Sequence, residues 1–284
     1  MTPLEPLEQL YAIERGEALP LPPELAALYG RLDIPPHPRR PYVAGNFVSS
    51  LDGVVALNTP GSLSGGGEIS GFNNHDRMLM GLLRAIADAV IVGAGTLRSV
   101  PRHRWTAPAI YPALADAYQE LRVHLGKPEP PLNVIVSAHG IVDLHLPVFQ
   151  SGEAPALLVT TQVGLQRLSG QPLPEWVQMT AAAEVGSISA AAVLEAVNRV
   201  RQSDIILVEG GPLLMNDFLE ERRLDDLFLT LAPQVAGRDD TTPRPGFVAG
   251  TLFAPEDPRW ATLVSVHRGG SHLFLRYAFE TAAA

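Results

Sequence analysis

The chain has 284 residues, 46% of them hydrophobic, a formal net charge of −9 and no cysteine. Its length and apolar content suffice for one substantial core, and the acidic balance argues against a nucleic-acid partner for the surface as a whole. Without cysteine there are no disulfides, iron–sulfur clusters, Cys-ligated zinc or cysteine nucleophiles.

Residues 1–40 read as an appendage. Acids stand within the first eight residues of MTPLEPLEQL and no apolar signal-type run follows, so a soluble, cytoplasmic protein is expected. Two short helical patterns, 4–15 and 22–31, flank the proline-bearing ALPLPPE and lead into IPPHPRRP, where prolines exclude helix and strand. A single domain over 41–284 is expected beyond this linker. Its apolar runs YVAGNFVSS, AVIVG, NVIVS, ALLVTT, IILVE and LFLTLAP alternate with helical patterns near 74–87, 111–124, 189–202 and 212–223. Continuous apolar strands alternating with helices imply an α/β fold whose mostly parallel sheet is covered on both faces. The closing WATLVSVHRGGSHLFLRYAF reads as a hairpin with a Gly-Gly turn, which makes the sheet mixed. The long, proline-bounded 105–131 is expected to be a surface excursion. No stretch approaches the ~20 uninterrupted apolar residues of a membrane helix.

Four places could carry chemistry. In VIVGAGTLRS a strand ends at Gly93, and Gly95 and Thr96 follow. This is either a tight strand exit or a backbone cradle for phosphate. The dinucleotide fingerprint is incomplete, because Arg98 stands where its third glycine would be. In IILVEGGPLLMNDFLEE, Glu209 ends an apolar strand, Gly210 and Gly211 follow, and Pro212 fits the first turn of a helix. The free N–H groups of Leu213 and Leu214 would face whatever sits above the glycines. A carboxylate in Glu209's position must be hydrogen-bonded or ligand-facing. In NFVSSLDG, Ser49, Ser50 and Asp52 interrupt an apolar run before Gly53, as a bulge or an Asx-type turn would. Finally, Arg84, Arg98, Arg102, His103 and Arg104 form a basic group that is either solvated or suited to an anion. His75 and Asp76 are explained by helix capping from Asn73 or Asn74. No metal site is expected there or at His139 and His145.

SSLDG, LLRAIADAVIVGAGTLR, VEGGPLLMNDFL with LDDLFLTLAPQVAGR, and SHLFLRYAF occur in this order. Together they resemble the pyrimidine reductase domain of riboflavin biosynthesis, which has the dihydrofolate reductase-like fold. The resemblance spans residues 41–279. It implies a three-layer α/β/α architecture around a mixed sheet of eight or nine strands, with NADPH across the carboxyl ends of the strands. In that family the EGG motif forms the cofactor turn, often with a cis peptide between the glycines. By this resemblance Val48, Gly93, Gly95, Thr96, Arg98, Ser137 and residues 211–217, with Gly210, Gly211, Pro212, Leu213 and Leu214 at the turn, are candidate NADPH contacts. Ser50, Arg84 and Glu209 correspond to substrate contacts, Arg102 or Arg104 to a holder of the substrate phosphate. Asp52 is the candidate general acid, Glu209 the residue that orients the substrate.

The implied activity is NADPH-dependent reduction of 5-amino-6-(5-phosphoribosylamino)uracil by a stand-alone homodimer, for which the apolar C-terminal strands offer an edge without fixing which face is used. The zinc deaminase domain found ahead of some such reductases is excluded by the lack of cysteine. One departure bears on the substrate. Val100 and Pro101 stand where the family carries acids after the glycine–threonine turn. Reduction of another C=N heterocycle, as in dihydrofolate reduction, and cofactor binding without catalysis therefore stay open.

Overall fold

The computed structural model describes residues 4–59 and 65–281. The N-terminal segment contributes strand β1 (Glu8–Ala12), a small ribbon of β2 (Glu17–Ala18) with β3 (Asp33–Ile34), and between these helix α1 (Pro23–Tyr29). Then come β4 (Tyr42–Ser49), α2 (Gly67–Ser70), α3 (Asn74–Ile86), β5 (Ala89–Gly93) and α4 (Ala94–Ser99). Next are α5 (Ala107–Ile110), α6 (Ala115–His124), β6 (Leu132–Ser137), α7 (Pro147–Gln150), β7 (Ala156–Thr161), α8 (Gln162–Leu168) and β8 (Val177–Ala183). The chain continues through α9 (Ala190–Val200), β9 (Ile205–Val208), α10 (Pro212–Glu220), β10 (Asp226–Leu231), β11 (Ala261–Gly269) and β12 (His272–Phe279).

One ten-stranded sheet runs in the order β1-β11-β12-β10-β4-β9-β5-β6-β7-β8. From β10 to β8 every neighbouring pair is parallel, and the C-terminal hairpin and β1 are antiparallel. Strands β5 and β9 at the centre are apolar at every position because both faces are covered. Val90 and Val92 point into one core with α1, α3 and α6, whereas Ala89 and Ile91 point into the other with α9 and α10. Local signals set the helix starts: the Asn73 side chain accepts from His75 N and Asp76 N, and Ser189 from Ala192 N. No helix among the described residues is long and apolar enough to cross a membrane.

The three-layer α/β/α fold expected from the sequence is present, with three corrections. The sheet has ten strands rather than eight or nine. Residues 8–12, expected within a helix, form β1 on the free edge of β11, with Glu8 opposite Arg268 and Ala12 opposite Ser265. An unpaired edge beside this segment outweighs its helical pattern, because the ladder satisfies backbone groups on both strands. The C-terminal edge expected to support a dimer is therefore already covered. Third, residues 105–131 are core rather than a surface excursion. Trp105, Tyr118 and Leu121 are buried, and the Tyr118 hydroxyl donates to Met78 O at 2.9 Å.

The N-terminal segment is fastened by a buried charge network. Arg276 Nε donates to Asp226 Oδ2 at 2.5 Å and its Nη1 to Asp33 Oδ1 at 3.0 Å, while Arg15 Nη1 reaches Asp226 Oδ1 at 2.5 Å. Beside it Tyr29 stacks on His267 at 4.8 Å, and neither ring nitrogen of His267 has a hydrogen-bond partner. Burial disfavours the imidazolium and draws His267 below its ordinary value of 6.5. A group whose folded pKa is lowered this way costs nothing above the unfolded value and costs stability as pH falls through it. Replacing His267 with Phe should therefore flatten the loss of urea midpoint between about pH 8 and about pH 5.5. An unchanged slope would show that the ring finds a partner on protonation.

Candidate functional site

Strands β4, β5 and β9 end side by side, and a cavity of about 530 Å³ opens above their carboxyl ends. Strand β9 ends at Val208. Glu209 and Gly210 follow, the Gly210–Gly211 peptide is cis, and α10 starts at Pro212. Gly210 takes φ +103°, a region open chiefly to glycine. Gly211 is close to its neighbour instead: a Cβ there would stand a tight 3.3 Å from Thr96 Oγ1. The neighbouring turn touches this one directly, since Gly93 N donates to Gly210 O at 2.7 Å. The first turns of α4 and α10 carry no side-chain cap.

Under the same opening lies a buried ion pair. Arg84 Nε donates to Glu209 Oε1 at 3.0 Å and to Oε2 at 3.2 Å, and Nη2 donates to Oε2 at 2.6 Å. The two side chains are 1% and 5% exposed. Arg84 Nη1 also reaches Thr106 O at 3.4 Å. The strand-end carboxylate is thus satisfied by protein, and the pair reaches the cavity as one unit.

Val48, Arg84, Thr96, Arg102, Glu209, Gly210, Gly211 and Pro212 all line the cavity, as the sequence suggested. Gly93, Gly95, Leu213 and Leu214 lie in the turns beneath it without lining it. Arg98 is exposed on α4, and Ser137 ends β6 with its carbonyl taken by Thr160 Oγ1 at 2.6 Å. Three side chains are engaged elsewhere. Ser50 Oγ donates to Asp52 Oδ1 at 2.6 Å and accepts from Val54 N at 2.9 Å. Asp52 receives Ala236 N at 3.0 Å and Gly237 N at 2.8 Å, which together with Ser50 hold its carboxyl below the usual range. Asp52 lies outside the cavity lining and stays ionised, so this geometry runs against a proton donor; it fastens residues 236–238 to the end of β4. Arg104 is paired with Glu153 and does not line the cavity, which leaves Arg102 as the nearer cation.

The RibD C-terminal domain family profile matches residues 41–263. The chain belongs to this family. No curated protein matches the sequence. Among solved structures, a pyrimidine reductase-like protein from Corynebacterium diphtheriae is 22% identical, covers 85% of this chain and 93% of its own, and superposes with a TM-score of 0.66. A diaminohydroxyphosphoribosylaminopyrimidine deaminase/5-amino-6-(5-phosphoribosylamino)uracil reductase from Thermotoga maritima is 21% identical over 85% of this chain and 57% of its own, TM-score 0.59. A riboflavin biosynthesis reductase from Saccharomyces cerevisiae is 14% identical over 87% and 93%, TM-score 0.57. At these identities the likeness is one of fold.

Within this RibD C-terminal domain, several cavity residues escape sequence reading. Asp76 is 6% exposed and lines the cavity. Its amide is capped by Asn73, as expected, but its side chain lies on the buried stripe of α3 with Leu79 and Leu83. Burial pushes its carboxyl up; the hydroxyls of Thr230 and Ser70 and the ring of His272 draw it down, and Glu209 pushes it up. A charged residue in register with the apolar stripe was the available signal. Asn46, 7% exposed in the middle of β4, lines the same floor. His103, grouped with the cations in the sequence, packs edge-on to Trp105 at 5.0 Å with its Nε2 unpartnered. Burial, then the cations Arg84, Arg104 and Arg77, hold it well below its ordinary value, so it is neutral.

Removing one partner of the Arg84–Glu209 pair leaves a buried charge unmatched, which costs about 3–5 kcal/mol. Urea unfolding of Arg84→Met should show a loss of that order. A loss within the range of ordinary surface substitutions would mean that water reaches Glu209 once the guanidinium is gone.

Proposed function

We propose that the chain is an NADPH-dependent reductase of 5-amino-6-(5-phosphoribosylamino)uracil or a phosphorylated pyrimidine of the same type. The observation that carries this reading is the pair of touching glycine turns, which sets two uncapped helix starts side by side under the cavity. The residues present fit a dinucleotide. A diphosphate needs close backbone approach and unpaired amides, and both turns supply them. Arg98, exposed on α4, suits a 2′-phosphate. The cofactor, when bound, supplies a hydride; the protein's part is positioning and electrostatics.

Each side chain then has a task. Gly210, Gly211 and Thr96 receive the diphosphate. The Arg84–Glu209 pair, rigid because it is buried and bonded through three short contacts, offers the substrate a fixed edge. Arg102 at the mouth takes the substrate phosphate, with Arg77 on the same wall. The homodimer and the cytoplasmic location expected from the resemblance belong to this proposal, with the dimer contact elsewhere than the β11 edge that β1 covers.

A second reading, reduction of another C=N heterocycle, is favoured by Val100 and Pro101, which give the wall near Arg102 no carboxylate where the family has one. Oxidation of NADPH with the phosphoribosylamino-pyrimidine, run beside dihydrofolate, separates the two. Turnover of the phosphorylated pyrimidine alone is the expected result, with a loss of about tenfold or more in kcat/KM for Arg102→Ala. Turnover with dihydrofolate alone would overturn the substrate, and no turnover with either would leave a cofactor-binding protein.

A further inference from the structure

We propose that Phe72 is the platform on which the planar heterocyclic ring of the substrate stacks, and so a specificity-determining residue of this site. The inference rests on the reductase reading and names what holds the flat face of its substrate. Phe72 stands in the turn between α2 and α3 and lines the cavity. It is 59% exposed, which in a lone surface residue would need no explanation. Its backbone sets it apart. Phe72 takes φ +55°, in the left-handed region that a bulky side chain rarely enters, and Gly71 before it takes φ +62°. An aromatic residue held this way at the rim of a cavity is kept for what it presents, not for its own energy.

The turn is fixed on both flanks and cannot relax alone. Phe72 N donates to Gly67 O at 2.8 Å. Before it in the chain, Ser70 O accepts from His272 Nε2 at 3.0 Å. After it, Asn73 Nδ2 lies 3.1 Å from Nδ1 of the same imidazole. Asn73 Oδ1 is already taken by the amides of His75 at 2.8 Å and Asp76 at 3.1 Å, so Asn73 meets His272 as a donor and Nδ1 accepts. His272 thus clamps both sides of Phe72 to the start of β12, as a positioning residue. The phenyl ring rests against Gly67: a Cβ there would stand 2.9 Å from Phe72 Cε1 and 3.1 Å from Cδ1. Only a glycine leaves room for the ring in that place.

The rest of the lining completes the match to a phosphorylated heterocycle. Arg77 and Arg102 offer cations to a phosphate, the Arg84–Glu209 pair offers a polar edge, and Phe72 supplies an apolar face. A pyrimidine carries the complement of the last two, a hydrogen-bonding rim and a π face that stacks offset on a phenyl ring. Stacking a base on an aromatic side chain strengthens binding about tenfold or more, and it tolerates different bases because each has a π face. Phe72 therefore selects for a flat ring rather than for one particular pyrimidine.

The test uses two probes that share a ribose phosphate and differ by the ring, uridine 5′-monophosphate and ribose 5-phosphate. Each is titrated calorimetrically into the wild type, Phe72→Asn and Phe72→Tyr. Asparagine suits the left-handed region, so Phe72→Asn should unfold at a urea midpoint no lower than that of the wild type. The wild type and Phe72→Tyr should bind uridine 5′-monophosphate about tenfold or more tighter than ribose 5-phosphate. In Phe72→Asn that preference should be lost, with the affinities for ribose 5-phosphate and NADPH unchanged. A preference that survives in Phe72→Asn, or that the wild type lacks, would overturn the proposal. So would a fall in NADPH affinity, which would give the phenyl ring to the cofactor. NADPH oxidation is read separately: no turnover of any C=N compound by the wild type would end the reductase reading, while the two-probe comparison still decides whether Phe72 holds a ring.

Discussion

Two parallel strands, β5 and β9, end at the same level, and the turns that follow them are joined by one hydrogen bond, Gly93 N to Gly210 O at 2.7 Å. That bond needs two backbones to come close with no side chain between them. A Cβ at Gly210 would crowd the Phe47 ring at 3.3 Å, whereas one at Gly93 would make only ordinary contact with Gly211 N at 3.5 Å. The consequence reaches well beyond the turns. Helices α4 and α10 start directly from these turns, and no side chain caps either. An α/β sheet offers its ligand site at the carboxyl ends of its strands, and here that end is built largely of backbone.

Charge is arranged around this neutral cradle by depth. At the base, Arg84 and Glu209 cancel each other inside the protein, where either alone would be costly. On the floor, Asp76 is buried without such a partner, and burial raises its carboxyl above the ordinary value. At the mouth, Arg102 is exposed and has no ion-pair partner among the described residues, so it is available to an anion. Four ionisable residues within one cavity, Arg84, Glu209, Asp76 and Arg102, therefore do different work because their surroundings differ. Asp52 makes the same point from outside: its carboxylate takes Ser50 beside it and the amides of Ala236 and Gly237 from a distant loop, and it fixes that loop to the end of β4.

Much of this was legible in the sequence. Alternating apolar runs and helical patterns gave the layers, the Gly-Gly signal gave the C-terminal hairpin, and the glycines after AVIVG and IILVE marked the ends of the strands that build the cavity. What escaped has a physical reason in each case. EQLYA became a strand because β11 supplied an edge, a contact more than 250 positions away that no local pattern encodes. The stretch 105–131 looked external because prolines bound it, yet Trp105 and Tyr118 lie in the core. Asp76 was hidden by a correct explanation, since its backbone is indeed capped by Asn73, while its side chain faces the cavity. The acid in the SSLDG motif drew attention for the opposite reason: its sequence setting suggested chemistry, and its hydrogen bonds bind Ser50 and the distant amides of Ala236 and Gly237.

The central claim is that the two glycine turns form a cofactor cradle, and calorimetric titration of NADPH into the wild type and into Gly211→Val tests it most directly. Gly211 has an ordinary φ of −93°, so valine does not oppose its backbone, but its side chain would crowd Thr96 Oγ1 and fill the space above the turn. The account predicts binding by the wild type and a loss of at least about tenfold in affinity, more than 1.4 kcal/mol, in a variant that still unfolds cooperatively. Equal affinity in the two proteins would contradict it and leave the glycine turns with a purely structural role.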